Sequence, residues 1–350
     1  MNMSTPWKTK LTRIALDSMH HSKAYKLLEP MCQGVGVIFT LHHVLKQHEF
    51  SKFALNRILE ISPEFLDDSI QQIRALDYDI ISLDEARDRL LNKDFKRRFV
   101  CFTLDDGYID NYQNALPVFE KYNIPFTIYL TTGLPDGTAV LWWRCLENLV
   151  LQADCIDIIL DRKPLFFNTK SFVEKNRAFY NIYWILRKMP DIEQRDAMLY
   201  LMSKYAIDSA ELCQKYALSW HMLQELAANP LVTIGSHTVN HLALSKLSAA
   251  QVKEEADKSR QIIQNRLNCQ VNHFCYPFGD KQSADQREFN IIADLQFKTA
   301  TTTRKGVIHP YHANHLQALP RISLNGDYQN QRYVRLFLSG VPTALWQKVS

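Results

Sequence analysis

No stretch of the 350-residue chain approaches the roughly 18 uninterrupted apolar residues that a membrane-spanning helix needs, so a helical transmembrane protein is excluded. Basic residues occur early, at Lys8, Lys10 and Arg13, but no continuous apolar run follows them, and no signal peptide is expected. The seven cysteines (Cys32, Cys101, Cys145, Cys155, Cys213, Cys269 and Cys275) are odd in number and lack C-x-x-C spacing. Most sit in apolar surroundings, as buried free thiols do, which favours a reducing compartment and a cytoplasmic protein. There is no basic stripe, and a net charge of +4 is too weak and scattered to call for nucleic acid. There is no internal repeat or low-complexity tract. What remains is an ordinary folded globular chain, 46% hydrophobic and 22% charged.

The length suits two or three domains, or one α/β barrel with insertions. The alternation of patterns favours the barrel. Gly34 to Leu41 reads as a buried strand ending at His42-His43. Ser62-Pro63-Glu64 has N-cap, N1 and acidic first-turn character and opens a helix to about Leu76. A short strand from Tyr78 to Ser82 precedes a helix to about Leu91. Phe99 to Leu104 is a second buried strand that stops at Asp105-Asp106-Gly107. A helix from Tyr112 to Tyr122 and a strand from Ile124 to Leu130 follow. From about 142 to 230 the periodicity becomes helical, as an insertion or cap would be. Strand character returns at Leu231–Gly235, Val271–Tyr276, Phe297–Thr302 and Leu319–Ile322, with helices from Ser248 to Leu267 and from Phe289 to Leu295 between them. The expected architecture is α/β, a distorted (β/α) barrel of about seven strands with a helical insertion. Residues 1–33 form an N-terminal helical segment, 34–340 the barrel, and about 142–230 the insertion.

His42, Asp105, Asp106, His237, His241, Tyr276 and Arg321 each fall at or just beyond a strand end. In an α/β barrel the loops after the strands converge on one face, so these residues can share a site. His237 and His241, four apart, can present two imidazoles to one ion while an Asp adds a hard oxygen ligand, leaving positions open for water and substrate. Taken alone, Asp-Asp-Gly also fits a turn, H-x-x-x-H is a weak signal, and His42 or His43 could be a hydrogen-bonded structural residue. His309, His312 and His315 read as a solvated loop. Trp142-Trp143 suit either the floor of a sugar subsite or an anchor for the insertion.

These residues resemble the NodB-type polysaccharide deacetylases, carbohydrate esterase family four. Thr103-Leu104-Asp105-Asp106-Gly107-Tyr108 is similar to their T-F-D-D-G motif, Ser236-His237-Thr238-Val239-Asn240-His241 to H-[ST]-x-x-H, and Tyr276-Pro277-Phe278-Gly279 to the third motif. The resemblance spans roughly Val35 to Arg321 apart from the insertion. It implies Asp106, His237 and His241 as ligands of a divalent metal, zinc foremost, with Asp105 as general base and the Tyr276 N–H as oxyanion donor. The family's late L-x-H histidine is not visible near the C-terminus, and the third motif lacks its nearby upstream arginine. A permuted subgroup resembling poly-N-acetylglucosamine deacetylases carries that histidine early, in a Y-H-x-V context similar to Leu41-His42-His43-Val44. His42 is therefore the expected general acid, His43 a neighbour or substrate contact, and Arg321 the partner of Asp105.

The expected function is metal-dependent removal of N-acetyl groups from an amino sugar of a polysaccharide, oligosaccharide or glycolipid. Two other readings stand beside it. One is deacetylation of a lipid-linked sugar, with peripheral membrane contact through the N-terminal segment, where Trp7, Leu11, Ile14 and Ala15 lie at helical spacing beside basic residues. The other is a noncatalytic glycan-binding degenerate barrel.

Overall fold

The computed structural model describes residues 5–160 and 163–349, without the side chains of 5–8 and 347–349, so the side chain of Trp7 lies outside the described residues. Seven parallel strands close into a barrel: β1 Gly36–Leu41, β2 Phe99–Asp106, β3 Phe126–Leu130, β4 Val232–Ser236, β5 His273–Cys275, β6 Thr299–Lys305 and β7 Leu319–Ser323. Each strand pairs with the next in the chain, and β1 completes the ring by pairing with both β2 and β7. This is the distorted (β/α) barrel expected from the alternation of strand and helix signals.

Strands β1, β2 and β3 are mostly apolar because successive side chains point to opposite faces and both faces are covered, whereas β6 is largely threonine. All eight residues of β2 are buried. Ile38, Phe99, Cys101, Tyr129, Cys275 and Leu319 pack with one another, while the alternate residues Val37, Phe39, Val100, Phe102, Leu104 and Ile128 join the core under the surrounding helices. A parallel arrangement puts every strand's carboxyl end on the same side. His42, Asp105, Asp106 and His237 therefore arrive together at one rim.

Local signals in the sequence account for several helix boundaries. Ser62 and Ser248 cap the Pro63–Ala75 and Ala249–Leu267 helices through their hydroxyls. The helix expected from Tyr112 starts instead as a π-helical turn, Asn111–Ala115, and becomes α-helical only over Leu116–Tyr122. Single π-turns are frequent beside functional sites, and this one directly follows Asp110, a residue of the site region.

The 142–230 segment contains the helices Trp142–Gln152, Phe172–Lys188, Asp191–Lys204, Ser209–Tyr216 and Trp220–Ala228. It also contains an antiparallel hairpin, Cys155–Leu160 with Lys163–Asn168, that the helical reading missed. Cys155-Ile156-Asp157-Ile158-Ile159-Leu160 alternates exposed and buried, a period of two that the long helices on either side obscured. Trp142, Trp143, Leu146, Ile156, Ile158, Phe179, Ile182 and Leu186 build a core for this segment. The histidine-rich run is not a solvated loop throughout. His312 is only 8% exposed, its Nδ1 lies 2.9 Å from the His309 N–H, and burial pushes its imidazole down to about 4.

Candidate metal centre and active site

Asp106 ends β2 with φ of 75°, and Gly107 follows at 87°, so the chain reverses directly after the carboxylate. The Asp106 C=O accepts the Thr131 N–H at 3.3 Å, tying this turn to the end of β3. His237 follows β4 directly, and the compact loop to His241 bends through positive φ at Thr238 and His241. Glu255, from the Ala249–Leu267 helix, grips this loop. Its carboxylate accepts from the N–H groups of Val239 and Asn240 at 2.9 and 3.0 Å, and from the Asn240 side chain at 2.6 Å. Non-glycine residues in left-handed backbone are costly and gather at functional sites. Asp106, Thr238, His241 and Phe278 all lie here.

The Nε2 atoms of His237 and His241 converge on Asp106 Oδ1, at 3.4 and 3.1 Å. Burial raises the Asp106 carboxyl, but His241 and His237 outweigh it and hold the group well below its ordinary value. His237 Nδ1 lies 2.7 Å from the Cys275 C=O, a contact that fixes the ring and directs Nε2 inward. Asp106 Oδ1 is buried and makes no ordinary hydrogen bond among the described residues. A buried carboxylate oxygen facing two imidazole nitrogens without hydrogen-bond geometry suits a single divalent cation with two nitrogen ligands and one oxygen ligand. The donor set fits the metal expected from the sequence.

Asp105 has a different environment. Arg321 reaches from β7 and forks onto it, Nη1 to Oδ1 and Nη2 to Oδ2, both at 2.7 Å. The Thr40 hydroxyl donates to Oδ2 at 3.3 Å. Burial raises the Asp105 carboxyl, and the Arg321 charge overcomes that and keeps it below its usual range. His42 Nε2 stands 3.9 Å from Asp105 Oδ2. Burial pulls the His42 imidazole down against the upward influence of Asp105 and Asp106. Arg321 thus pairs with Asp105 through both carboxylate oxygens. Beside the pair sits Cys275, whose sulfur is 3.1 Å from Arg321 Nη2.

His43 is sealed off. It stacks on Tyr108 at 3.6 Å, with Nδ1 2.7 Å from Asp110 and Nε2 2.9 Å from Arg144. Both ring nitrogens are engaged, so His43 is not a substrate contact. Arg144 also pairs with Glu60 at 2.9 Å and Glu147 at 2.8 Å. This buried cluster joins the Trp142–Gln152 helix to the barrel rim. Trp143 donates to the Tyr108 hydroxyl at 3.1 Å and lies 5.1 Å, edge to face, from His241. Trp143 therefore ties the insertion to Tyr108 and His241.

Tyr276 departs from its expected role. Its N–H donates to the Thr301 C=O at 3.2 Å in the barrel ladder, and its hydroxyl donates to the Gln317 C=O at 2.9 Å. Its ring packs between Phe274 and Phe289, away from the rim. Phe278, two residues on, has φ of 60°, a ring 4.8 Å from His241, and an N–H without a hydrogen-bond partner among the described residues. The guanidinium of Arg187, from the Phe172–Lys188 helix, lies 3.9 Å from the centre of the Phe278 ring.

Residues 92–150 and 163–300, more than half of the chain, match the family model described as polysaccharide deacetylase. The chain belongs to the polysaccharide deacetylase family. No curated protein sequence matches this deacetylase-family chain. Among solved structures it is similar to a Streptococcus pyogenes deacetylase, PplD, in complex with acetate, at 19% identity and a TM-score of 0.56, over 86% of this chain and 96% of that one. IcaB from Ammonifex degensii follows at 17% and 0.54, over 87% and 97%. A de-N-acetylase from Aggregatibacter actinomycetemcomitans stands at 14% and 0.53, over 86% and 99%. At these identities the likeness is one of fold.

Glu255, Arg144, Glu60 and Asp110 were not picked out from the sequence. Each lies within or before a helix, or in a short connecting strand, where a charged residue looks like surface. The Asp105–Arg321 fork yields a direct test. Truncating one member of a buried pair strands the other charge, at a cost of about 3–5 kcal/mol. Arg321→Met is expected to lose stability on that scale in urea unfolding, with Arg321→Lys intermediate. A loss below about 1 kcal/mol would show that the pair is not what organises the rim.

Proposed function

We propose that this deacetylase-family chain is a metal-dependent hydrolase that removes N-acetyl groups from an amino sugar of a polysaccharide, oligosaccharide or glycolipid. The observation that carries the reading is the buried Asp106 Oδ1 set against two histidine Nε2 atoms, beside a second carboxylate held by arginine. Asp106, His237 and His241 would hold the ion, for which zinc suits the ligand set. A bound divalent cation supplies Lewis acidity toward the acetamide carbonyl and lowers the pKa of water.

The remaining chemistry falls to the chain's own groups. Asp105, kept ionised by Arg321, takes a proton from the attacking water as the new carbon–oxygen bond forms. The Phe278 N–H, left without a partner, steadies the negative oxygen that develops. His42 delivers a proton to the sugar nitrogen as the carbon–nitrogen bond breaks, leaving a free amine and acetate. Its position beside Asp105 supports that role, and the double engagement of His43 argues against the neighbour.

Site substitutions separate these roles. Asp105→Asn is expected to keep one equivalent of zinc and lose about 10²- to 10⁴-fold in kcat for acetate release, the usual share of a general base. His237→Ala is expected to lose both zinc and turnover, and His42→Ala to keep zinc and slow at least about 100-fold. Wild-type acetate release from any of the three would remove that residue from the mechanism.

A lipid-linked substrate is favoured by one further observation. The helices Thr5–His21 and Tyr25–Cys32 expose Leu11, Ile14, Leu27 (83%), Leu28 and Met31 (81%) beside exposed Lys10, Lys23 and Lys26. Apolar side chains ringed by lysines suit an anionic membrane surface. Leu27→Ser with Met31→Ser is expected to release the protein from co-sedimenting phosphatidylglycerol vesicles. Equal binding by wild type and variant would exclude this contact.

A further inference from the structure

Beside His241 lies a cleft of about 50 Å³ lined in part by Trp142, Asp191, Gln194, Met198, Asn240 and Leu242. Asp191 and Gln194 come from one face of the Asp191–Lys204 helix, three residues apart, and each is only 9% exposed. Asp191 Oδ2, Gln194 Nε2 and His241 Nδ1 are all buried and without hydrogen-bond partners among the described residues. Such atoms are costly unless something polar meets them. One water needs roughly 10–15 Å³ of such space, so the cleft has room for several hydroxyl-sized groups.

We propose that Asp191 and Gln194 form a sugar subsite of the deacetylase, in which the carboxylate accepts from, and the amide donates to, hydroxyls of a neutral pyranose ring of the substrate glycan. This rests on the function proposed above. Three features select the ligand class. An unpaired acceptor and an unpaired donor on one wall match hydroxyl groups, which do both. Trp142, Met198 and Leu242 give the opposite character, an apolar surface for the C–H face of a sugar ring. Lys246 sits 3.4 Å from Asp191 Oδ1, and Arg195 also borders the cleft, so Oδ2 is the carboxylate oxygen left to accept from a hydroxyl. Lys246 also donates to the C=O groups of Arg187 and Met189, which fixes the start of the helix against the loop after His241. Val140 borders both this cleft and a wider depression of about 560 Å³ lined by Leu199, Met202 and residues 206–210, so a glycan longer than one sugar can continue outward.

The test is calorimetric titration of the metal-stripped full chain with the β-1,4-linked tetramer of N-acetylglucosamine, for wild type, Asp191→Asn and Gln194→Ala. Each variant is expected to bind about tenfold more weakly. With zinc restored, each should show a KM for the tetramer raised about tenfold, kcat within about twofold, and unchanged zinc content. Wild-type affinity in both variants, or no binding of the tetramer by the wild-type chain, overturns the subsite. So does loss of zinc from Asp191→Asn, which would make Asp191 a support for His241. None of these results bears on the deacetylase reading, which fails separately if the zinc-loaded wild type releases acetate from no N-acetylated glycan.

Discussion

The two-toothed pairing of Arg321 with Asp105 is the constraint around which the carboxyl-end rim of the barrel is arranged. A carboxylate and a guanidinium buried together recover their lost hydration only when the geometry is close and the remaining polar atoms are satisfied. Here both conditions are met. Each oxygen of Asp105 receives one nitrogen of Arg321, while Arg321 Nε donates to the Thr302 C=O and Nη1 also reaches the Thr103 hydroxyl. The pair crosses from β7 to β2 past the single strand β1, so it can form only when the ring is closed in this register. Asp105 is then fixed as a charged group, and the adjacent Asp106 is free to face the two histidines.

A second buried cluster performs the comparable task for the insertion. Arg144 collects Glu60, Glu147 and His43, and Asp110 holds the other side of His43. These residues come from the insertion, from the short strand pair His43–Val44 and Glu60–Ile61, and from Asp110 just before the π-turn. Their ion pairs and hydrogen bonds set the Trp142–Gln152 helix over the rim, where Trp143 meets His241. The same docking brings the Asp191–Lys204 helix beside His241, so elements that line the neighbouring cleft need not belong to the barrel itself.

Much of this was legible in the sequence because the barrel's signals are local. Buried strands of six or so apolar residues ending at Asp105-Asp106, His42-His43 and Ser236-His237 announce both the fold and the rim. The assignment of Arg321 to Asp105 came from a missing arginine near Tyr276, and in the structure the guanidinium forks onto that carboxylate. What was not legible depends on backbone direction and distant partners. At Tyr276 the motif does not reveal that the N–H is taken by Thr301 in the strand ladder, or that the chain turns at Phe278. The hairpin at Cys155–Asn168 was lost between strong helices, and His312 was read as solvated because burial by distant packing leaves no trace in a Pro- and His-rich run. Glu255 looked like one more charge on an amphipathic helix.

The proposed chemistry requires that the Asp106, His237 and His241 set hold an ion that the reaction needs. The most direct measurement strips the purified chain with chelator, returns zinc, cobalt or nickel, and follows acetate release over a panel of N-acetylated glycans, peptidoglycan fragments and lipid-linked N-acetyl sugars, with bound metal counted in parallel. The expected result is no release from the stripped chain and recovery that saturates at one ion per chain on at least one substrate. Equal release from the metal-free chain, or saturation of the site with no release from any substrate, would contradict it.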